Sequence, residues 1–165
     1  MIIRQATMSD LDSIAEVERV CFLPAEAAPR SSFEKRMGVF LDSFLLAEAD
    51  GEVIGFINGC ITDERIIFDE MFHDVSHHNP EGKYQAIFGL AVVPKYRGQG
   101  VAHRLMNEFI ELSRRRGKKG LTLTCKEQRI DYYAAFGYKN LGLSDSTHGG
   151  AVWYDMILEF VDVNT

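Results

Sequence analysis

The sequence predicts a mixed α/β (α+β) domain, and three observations predict it. Short apolar runs bounded by turn residues alternate with stretches of helical periodicity. The pair Asp50-Gly51 joins two such runs as a hairpin, because a type I′ turn needs positive φ at both central residues. The stretch YQAIFGLAVVPKYRGQGVAHRLM, residues 84–106, passes from strand to helix through a basic, glycine-rich turn.

The elements follow in order. Met1 to Gln5 reads as a strand. Ser9 is the expected N-cap of a first helix, in which Leu11, Ile14, Val17 and Cys21 recur at helical spacing. Pro24 and Pro29 make LPAEAAPRSS a loop, and Ser32 to Phe40 reads as a second helix. Ser43 to Ala49 and Val53 to Thr62 are strands. Phe68 to Asp74 reads as a short helix within an otherwise irregular segment, and Tyr84 to Val93 as one long strand closed by Pro94. Gly100 to Arg116 is a helix with Val101, Leu105 and Phe109 on one face, stopped by three arginines and Gly117. Leu121 to Cys125 is a buried strand, Arg129 to Phe136 a short helix, and Tyr138 to Leu143 and Val152 to Phe160 the last strands. The expected order, with no linker or repeat, is that of one domain over residues 1–165.

Composition narrows the function. The chain has 165 residues, 46% hydrophobic and 25% charged, which suits a globular core. A net charge of −6 disfavours nucleic acid as a partner. No apolar run is long enough for a bilayer, and the N-terminal residues do not read as a secretory signal, so no membrane is expected. Cys21, Cys60 and Cys125 form no C-x-x-C, which fits reduced thiols and a cytoplasmic location. His73, His77 and His78 lack a completing ligand, so no metal is expected, and Cys125, between Leu and Thr residues, reads as a buried inert thiol.

The turn Lys95-Tyr96-Arg97-Gly98-Gln99-Gly100 carries the chemistry. The first turn of a helix has unsatisfied N–H donors and partial positive charge, glycines let the main chain approach an anion, and arginine adds a forked cation. A phosphorylated ligand is expected. A P-loop would need Lys-Ser or Lys-Thr after its glycine, whereas Val101 and Ala102 follow Gly100. A dinucleotide fingerprint would need a third glycine where His103 stands.

What remains, Arg97-x-x-Gly100-x-Ala102 after a strand ending LAVVP, resembles the pyrophosphate loop of the GNAT superfamily of acyl-CoA N-acyltransferases. Tyr133-Ala-Ala-Phe-Gly137-Tyr138 is similar to the family's Tyr-x-x-x-Gly-Phe/Tyr, and the order of elements agrees over nearly the whole chain. Within the superfamily the chain is most similar to the arylalkylamine (serotonin-type) N-acetyltransferases, especially microbial ones. The likeness lies in Cys21 to Ala28, His78-Asn-Pro-Glu-Gly82, Leu90-Ala-Val92, Leu123-Thr-Cys125, and Ser146 to Gly150 leading to Trp153.

The resemblance implies a GNAT fold whose mixed central sheet is splayed between its fourth and fifth strands, with acetyl-CoA as cosubstrate. Main-chain groups of Leu90 and Val92 would pair with the pantetheine arm as an added strand, with Ala91 between them in the cofactor-binding stretch, and a backbone N–H near Val92 would serve the oxyanion. The pyrophosphate would sit on Arg97, Gly98, Gln99, Gly100, Val101 and Ala102. Tyr133 would protonate the departing thiolate, the alternative being a core aromatic with Tyr132 as its buried neighbour. The acceptor would be a small-molecule primary amine, an arylalkylamine or polyamine, attacking directly in a ternary complex. Protein amines, amino sugars or a non-catalytic acyl-CoA sensor are the alternatives, and a homodimer is a candidate assembly. An amine of pKa ~10.4 lies about 3.4 units from neutrality at pH ~7, a cost of roughly 4.6 kcal/mol that a base normally offsets. The animal enzymes use two strand histidines. Here Ala86 and Phe88 stand in their places, leaving Glu26, His77, His78, His148 or a water chain as candidates, with Glu26, His78 and His148 as expected acceptor-side residues. Phe22 or Phe33 is expected to wall the pocket.

Overall fold

The strand expected over residues 84–93 is broken at Phe88, and the architecture turns on that break. In the computed structural model, which describes residues 1–161, the elements run β1 (Ile2–Gln5), α1 (Leu11–Cys21), α2 (Arg30–Phe40), β2 (Phe44–Ala49), β3 (Glu52–Asn58), β4 (Ile61–Thr62) and α3 (Glu70–His73). They continue as β5 (Tyr84–Ile87), β6 (Gly89–Val92), α4 (Val101–Arg115), β7 (Gly120–Cys125), α5 (Ile130–Ala134), β8 (Lys139–Leu143) and β9 (Tyr154–Glu159). The strands form two sheets, ordered β1-β2-β3-β6 and β4-β5-β7-β9-β8. β5 runs parallel to β7, with Tyr84 opposite Gly120, whereas β6 is antiparallel to β3, with Gly55 opposite Val92. The other β strand pairs are antiparallel, which makes the sheet orientation mixed.

The break has a bulge at its root. Asn58 faces Gly89 and Ile61 faces Gln85, so three steps along one strand span four along the other. The ring of Phe88 is drawn off the strand line toward Phe40 (centroids 6.2 Å) and Phe72 (4.9 Å). Carbonyls converge where the partner changes, and Gln85 collects them, adding to the Ala86 N–H that already reaches Cys60 O at 2.8 Å. Its buried side-chain amide donates to Gly59 O (2.9 Å), Cys60 O (3.0 Å) and Ala86 O (2.9 Å), while its oxygen accepts from Ser43 Oγ at 3.2 Å.

Two apolar cores hold the sheet from opposite faces. On β2, Phe44 and Leu46 face α1 and α2, packing with Ile14, Val17, Phe33 and Met37, whereas Leu45 and Ala47 face α4 and its Val101, Leu105 and Phe109. The expected hairpin is present, with φ of 52° at Asp50 and 77° at Gly51. The first helix departs from expectation at its start. A single 3₁₀ turn (Met8–Asp10) precedes α1, with Thr7 rather than Ser9 as its N-cap; the Asp10 carboxylate accepts Thr7 N–H at 2.8 Å and Arg4 at 2.9 Å, and Asp10 also occupies the N-cap position of α1 without a side-chain cap bond. Arg4 holds the Asp10 carboxyl down to about 2. Val53–Thr62 is likewise two strands, because the chain bends at Gly59-Cys60 where the bulge lies. Among the described residues no helix is long and apolar enough to cross a membrane.

Replacing Gln85 by Leu should cost about 2 kcal/mol or more, because buried carbonyls at the crossing lose their donor. Denaturant unfolding measures this directly; a loss within ~0.5 kcal/mol would mean that these carbonyls need no donor.

Candidate active site

The two sheets diverge beyond β5, and the edge of β6 turned away from β3 is left unpaired. Val93 N–H donates to Ile54 O at 2.9 Å. By antiparallel alternation Ala91 then bonds toward Phe56, and the N–H and C=O groups of Leu90 and Val92 point into the opening. Two contacts confirm the direction. Val92 O accepts from Arg97 Nε at 2.9 Å and from Cys21 Sγ at 3.3 Å. The expected edge is therefore there with two corrections. Ala91 spends its main-chain groups on β3, and the Val92 carbonyl is already held, so Leu90 and the Val92 N–H are what a ligand meets.

β6 leads through Pro94 into the glycine turn. The Arg97 N–H bonds Pro94 O at 3.2 Å, so it is consumed within the turn. Gly98 and Gly100 have φ of 76° and 81°, a left-handed conformation that a β-carbon would strain. Gly100 is the N-cap of α4, and the N–H groups of Gly98, Gln99, Gly100, Val101 and Ala102 meet no main-chain acceptor among the described residues. Backbone direction and helix dipole thus make an anion seat. The Gln99 side chain turns back to Lys95 O at 3.3 Å and contributes only its main chain.

A cleft of about 990 Å³ joins this seat to the splayed edge, and Tyr133 on α5 lines it together with Leu90, Val92, Arg97 and Gly100. Tyr133 packs edge-on against Tyr138 (6.0 Å), and burial pushes its hydroxyl far above the usual tyrosine range, so it stays a proton donor. The burial expected for Tyr132 is not found; its side chain is 36% exposed, because α5 turns Tyr133 toward the core. Cys125 is buried, with its thiol pushed up to about 11 by desolvation, which removes it as a nucleophile.

The acceptor-side expectations divide. Glu26 and His148 both line the cleft and are brought together: His148 Nε2 lies 2.9 Å from Glu26 O, and the imidazole stacks on Phe72 at 5.5 Å. The Glu26 carboxylate is neutralised by Lys126 at 2.5 Å, so it is not a free anion. A roof over this end comes from residues 146–153. Asp69 accepts Ser146 Oγ at 2.5 Å and Thr147 N–H at 3.2 Å, and Trp153 Nε1 donates to His148 O at 2.9 Å. His78 is elsewhere. Its Nδ1 accepts Ile61 N–H at 3.0 Å and its ring packs on Phe40, so it fixes the β4 edge away from the cleft. His77 rests edge-on against Phe68. Phe22 lines the cleft as expected, but Phe33 is fully buried in the core.

Three polar residues at this end escaped sequence reasoning. Glu18 on α1, Arg36 on α2 and Asn58 on β3 are all buried and all line the cleft. Glu18 Oε2 accepts Ala28 N–H at 2.9 Å, and burial raises its carboxyl above the usual range against the pull of Arg36 and His148. Burial lowers Arg36 to about 10; its guanidinium lies 5.1 Å from the Phe88 ring and donates to Phe72 O at 3.0 Å. The one available signal was charge on a helix face otherwise apolar, at Glu18 beside Ile14 and Val17.

Comparison with known proteins agrees with this architecture. The family model described as Acetyltransferase (GNAT) family matches residues 11–138. An uncharacterized N-acetyltransferase of Archaeoglobus fulgidus is 30% identical over 158 residues, covering 92% of this chain and 98% of its own. A probable hydrolase of Bacillus subtilis, YhcX, is 29% identical over 141 residues, 81% of this chain, but the match spans only 28% of that protein's length. Among solved structures, the GphF GNAT-like decarboxylase in complex with isobutyryl-CoA superposes with a TM-score of 0.82 at 17% identity, covering 96% of this chain and 99% of that one. The chain belongs to the acetyltransferase (GNAT) family, whose enzymes take their acyl group from a coenzyme A thioester.

Proposed function

We propose that the protein moves acetyl from acetyl-CoA to a small primary amine by direct attack in a ternary complex. The observation that carries this reading is the continuity of one surface. The unpaired edge at Leu90 and Val92 runs into the open N–H groups of Gly98 to Ala102, as a pantetheine arm ending in a pyrophosphate requires. Arg97, pinned to Val92 O by Nε, keeps its terminal nitrogens for phosphate oxygens.

With the pyrophosphate at the turn, the thioester lies toward the start of β6, in the same cleft as Tyr133. The amine nitrogen attacks the carbonyl carbon, the electron pair moves to the oxygen, and collapse breaks the C–S bond. Tyr133 gives its proton to the sulfur, and its phenolate is reprotonated by the nitrogen's surplus proton. Half-buried, with desolvation raising its hydroxyl far above the usual tyrosine range, Tyr133 stays protonated across the working range. An arylalkylamine or polyamine is favoured by the acceptor end, where Phe22, Phe72, Phe88 and Trp153 offer aromatic faces beneath a pinned roof.

The test is an amine panel with acetyl-CoA and thiol detection, including arylalkylamines, polyamines, amino sugars and peptides with free N-termini. Small amines should turn over best; preference for peptides moves the acceptor to proteins, and coenzyme A binding with no turnover on any amine makes the domain a sensor. Tyr133→Phe should lower kcat by about a hundredfold while acetyl-CoA affinity stays near that of the native protein. With native enzyme no alkaline fall in kcat should appear below pH ~10, since the proton donor is lost only above that. Unchanged turnover in Tyr133→Phe removes the acid from this residue. Arg97→Ala should weaken coenzyme A binding roughly tenfold or more by calorimetry, through the lost phosphate contacts and the released Val92 carbonyl. Undiminished affinity would place the pyrophosphate elsewhere.

A further inference from the structure

We propose that Glu18 receives the acceptor amine as its ammonium ion and takes the proton that makes it a nucleophile, so that the protein selects a cationic acceptor. The inference rests on the acetyltransferase reading above and adds a proton acceptor, since Ala86 and Phe88 stand where the animal enzymes it resembles carry strand histidines.

Three observations converge. Glu18 is only 7% exposed, yet it lines the cleft. One of its oxygens, Oε2, is fixed by Ala28 N–H, while Oε1 accepts from no protein donor among the described residues and is not sealed from the cleft. Oε1 lies near Gly89, the first residue of β6: a β-carbon built there would sit 3.5 Å from Asn58 Nδ2, 3.7 Å from Phe56 Cε2 and 3.9 Å from Oε1. The bare backbone at Gly89 therefore leaves a small niche, lined by the carboxylate, an amide and a ring edge, beside the start of the strand, where the thioester end of a cosubstrate running along β6 would be. Among the described residues Arg36 Nε and Asn58 Nδ2 also lack partners, on side chains 5% and 0% exposed, but both are donors that an ammonium ion cannot satisfy, so the cation's partner is Glu18 Oε1.

The competing carboxylate and imidazoles are spoken for. Glu26 is closed by Lys126, His148 by the Glu26 carbonyl and the Phe72 face, and His78 lies outside the cleft. The charged and titratable groups facing Glu18 are Arg36 from α2, His148 from the roof and Cys21 from the end of α1. Arg36 and His148 favour the carboxylate and keep it ready to meet a cation, while burial favours the neutral acid once a proton arrives. In a dry niche an ammonium–carboxylate pair and its neutral amine–acid counterpart are brought closer in energy than in water. The step balances. The N–H bond electrons stay on nitrogen as its lone pair, the proton goes to Oε1, and after acetyl transfer Glu18 releases that proton to solvent.

The test uses the full chain loaded with coenzyme A, with phenethylamine and its isostere 2-phenylethanol as calorimetric probes. The native protein should bind the amine at least about tenfold more tightly, and Glu18→Gln, which keeps the Ala28 contact, should bring the two together. For any amine that turns over, Glu18→Gln should lower kcat/KM by roughly a hundredfold and remove the acid limb that Glu18 contributes to its pH profile. Glu18→Asp, which withdraws the carboxylate, serves if the amide variant does not fold. Equal or absent binding of the two probes by native protein overturns the proposal, as does a preference for the amine that survives Glu18→Gln. Native protein that binds the amine selectively but acetylates nothing would defeat the acetyltransferase reading and leave Glu18 as a cation receptor, so the two failures are distinguishable.

Discussion

A strand that changes partners halfway along its length governs this molecule. β5 is committed to β7 and β6 to β3, and a backbone cannot serve both neighbours after they diverge. From Gly89 onward the chain turns one side away from any partner strand, and of its groups there only the Val92 carbonyl is held, by Arg97 and Cys21. Such an edge inside a fold is costly unless water or a ligand satisfies it, and here it opens into a cleft of about 990 Å³. The rest of the architecture accommodates that opening. Gln85 gathers the carbonyls that converge at the crossing, Pro94 stops the strand from pairing further, and Gly98 and Gly100 bend the chain so that α4 points its first turn back at the edge.

The same divergence separates two electrostatic regions. Near the α4 terminus the cleft is lined by main-chain N–H groups and Arg97, a setting for an anion. At the other end Glu18 and Arg36 sit deep among aromatic rings, with Glu26 and Lys126 cancelling each other nearby. A molecule that spans the cleft meets positive character at one end and, at the other, carboxylates already balanced by Arg36 and Lys126. Selection of a charged group at that end therefore depends on the one carboxylate oxygen of Glu18 left open, not on a net field. Three thiols lie within this frame, and two of them, Cys60 and Cys125, are buried and pushed up to about 12 and 11, too far to act as nucleophiles at neutral pH.

What was legible in the sequence was what local chemistry decides. The Asp50-Gly51 hairpin, the amphipathic face of α4 and the glycine turn before it depend on residues within one or two turns of each other, and all three are present. What was not legible depends on contacts distant in sequence. Gln85 looks like a polar interruption of an apolar strand until Gly59 and Cys60 are folded against it. Glu18 reads as one more helix charge until α2 and β6 close around it. His78 carried a functional expectation because its neighbours resembled a family segment, but the backbone of Ile61 claims its ring. The break at Phe88 was hidden for the same reason: nothing in YQAIFGLAVV marks where one partner strand is exchanged for another.

The central claim is that the unpaired β6 edge and the first turn of α4 together receive the coenzyme A arm. Residue-resolved amide hydrogen exchange with and without coenzyme A tests it most directly. Slowed exchange at Val92 and across Gly98 to Ala102, with Ala91 already slow in the free protein, is the predicted pattern. Coenzyme A that binds without altering exchange at those amides, or that protects a different surface, would contradict the account.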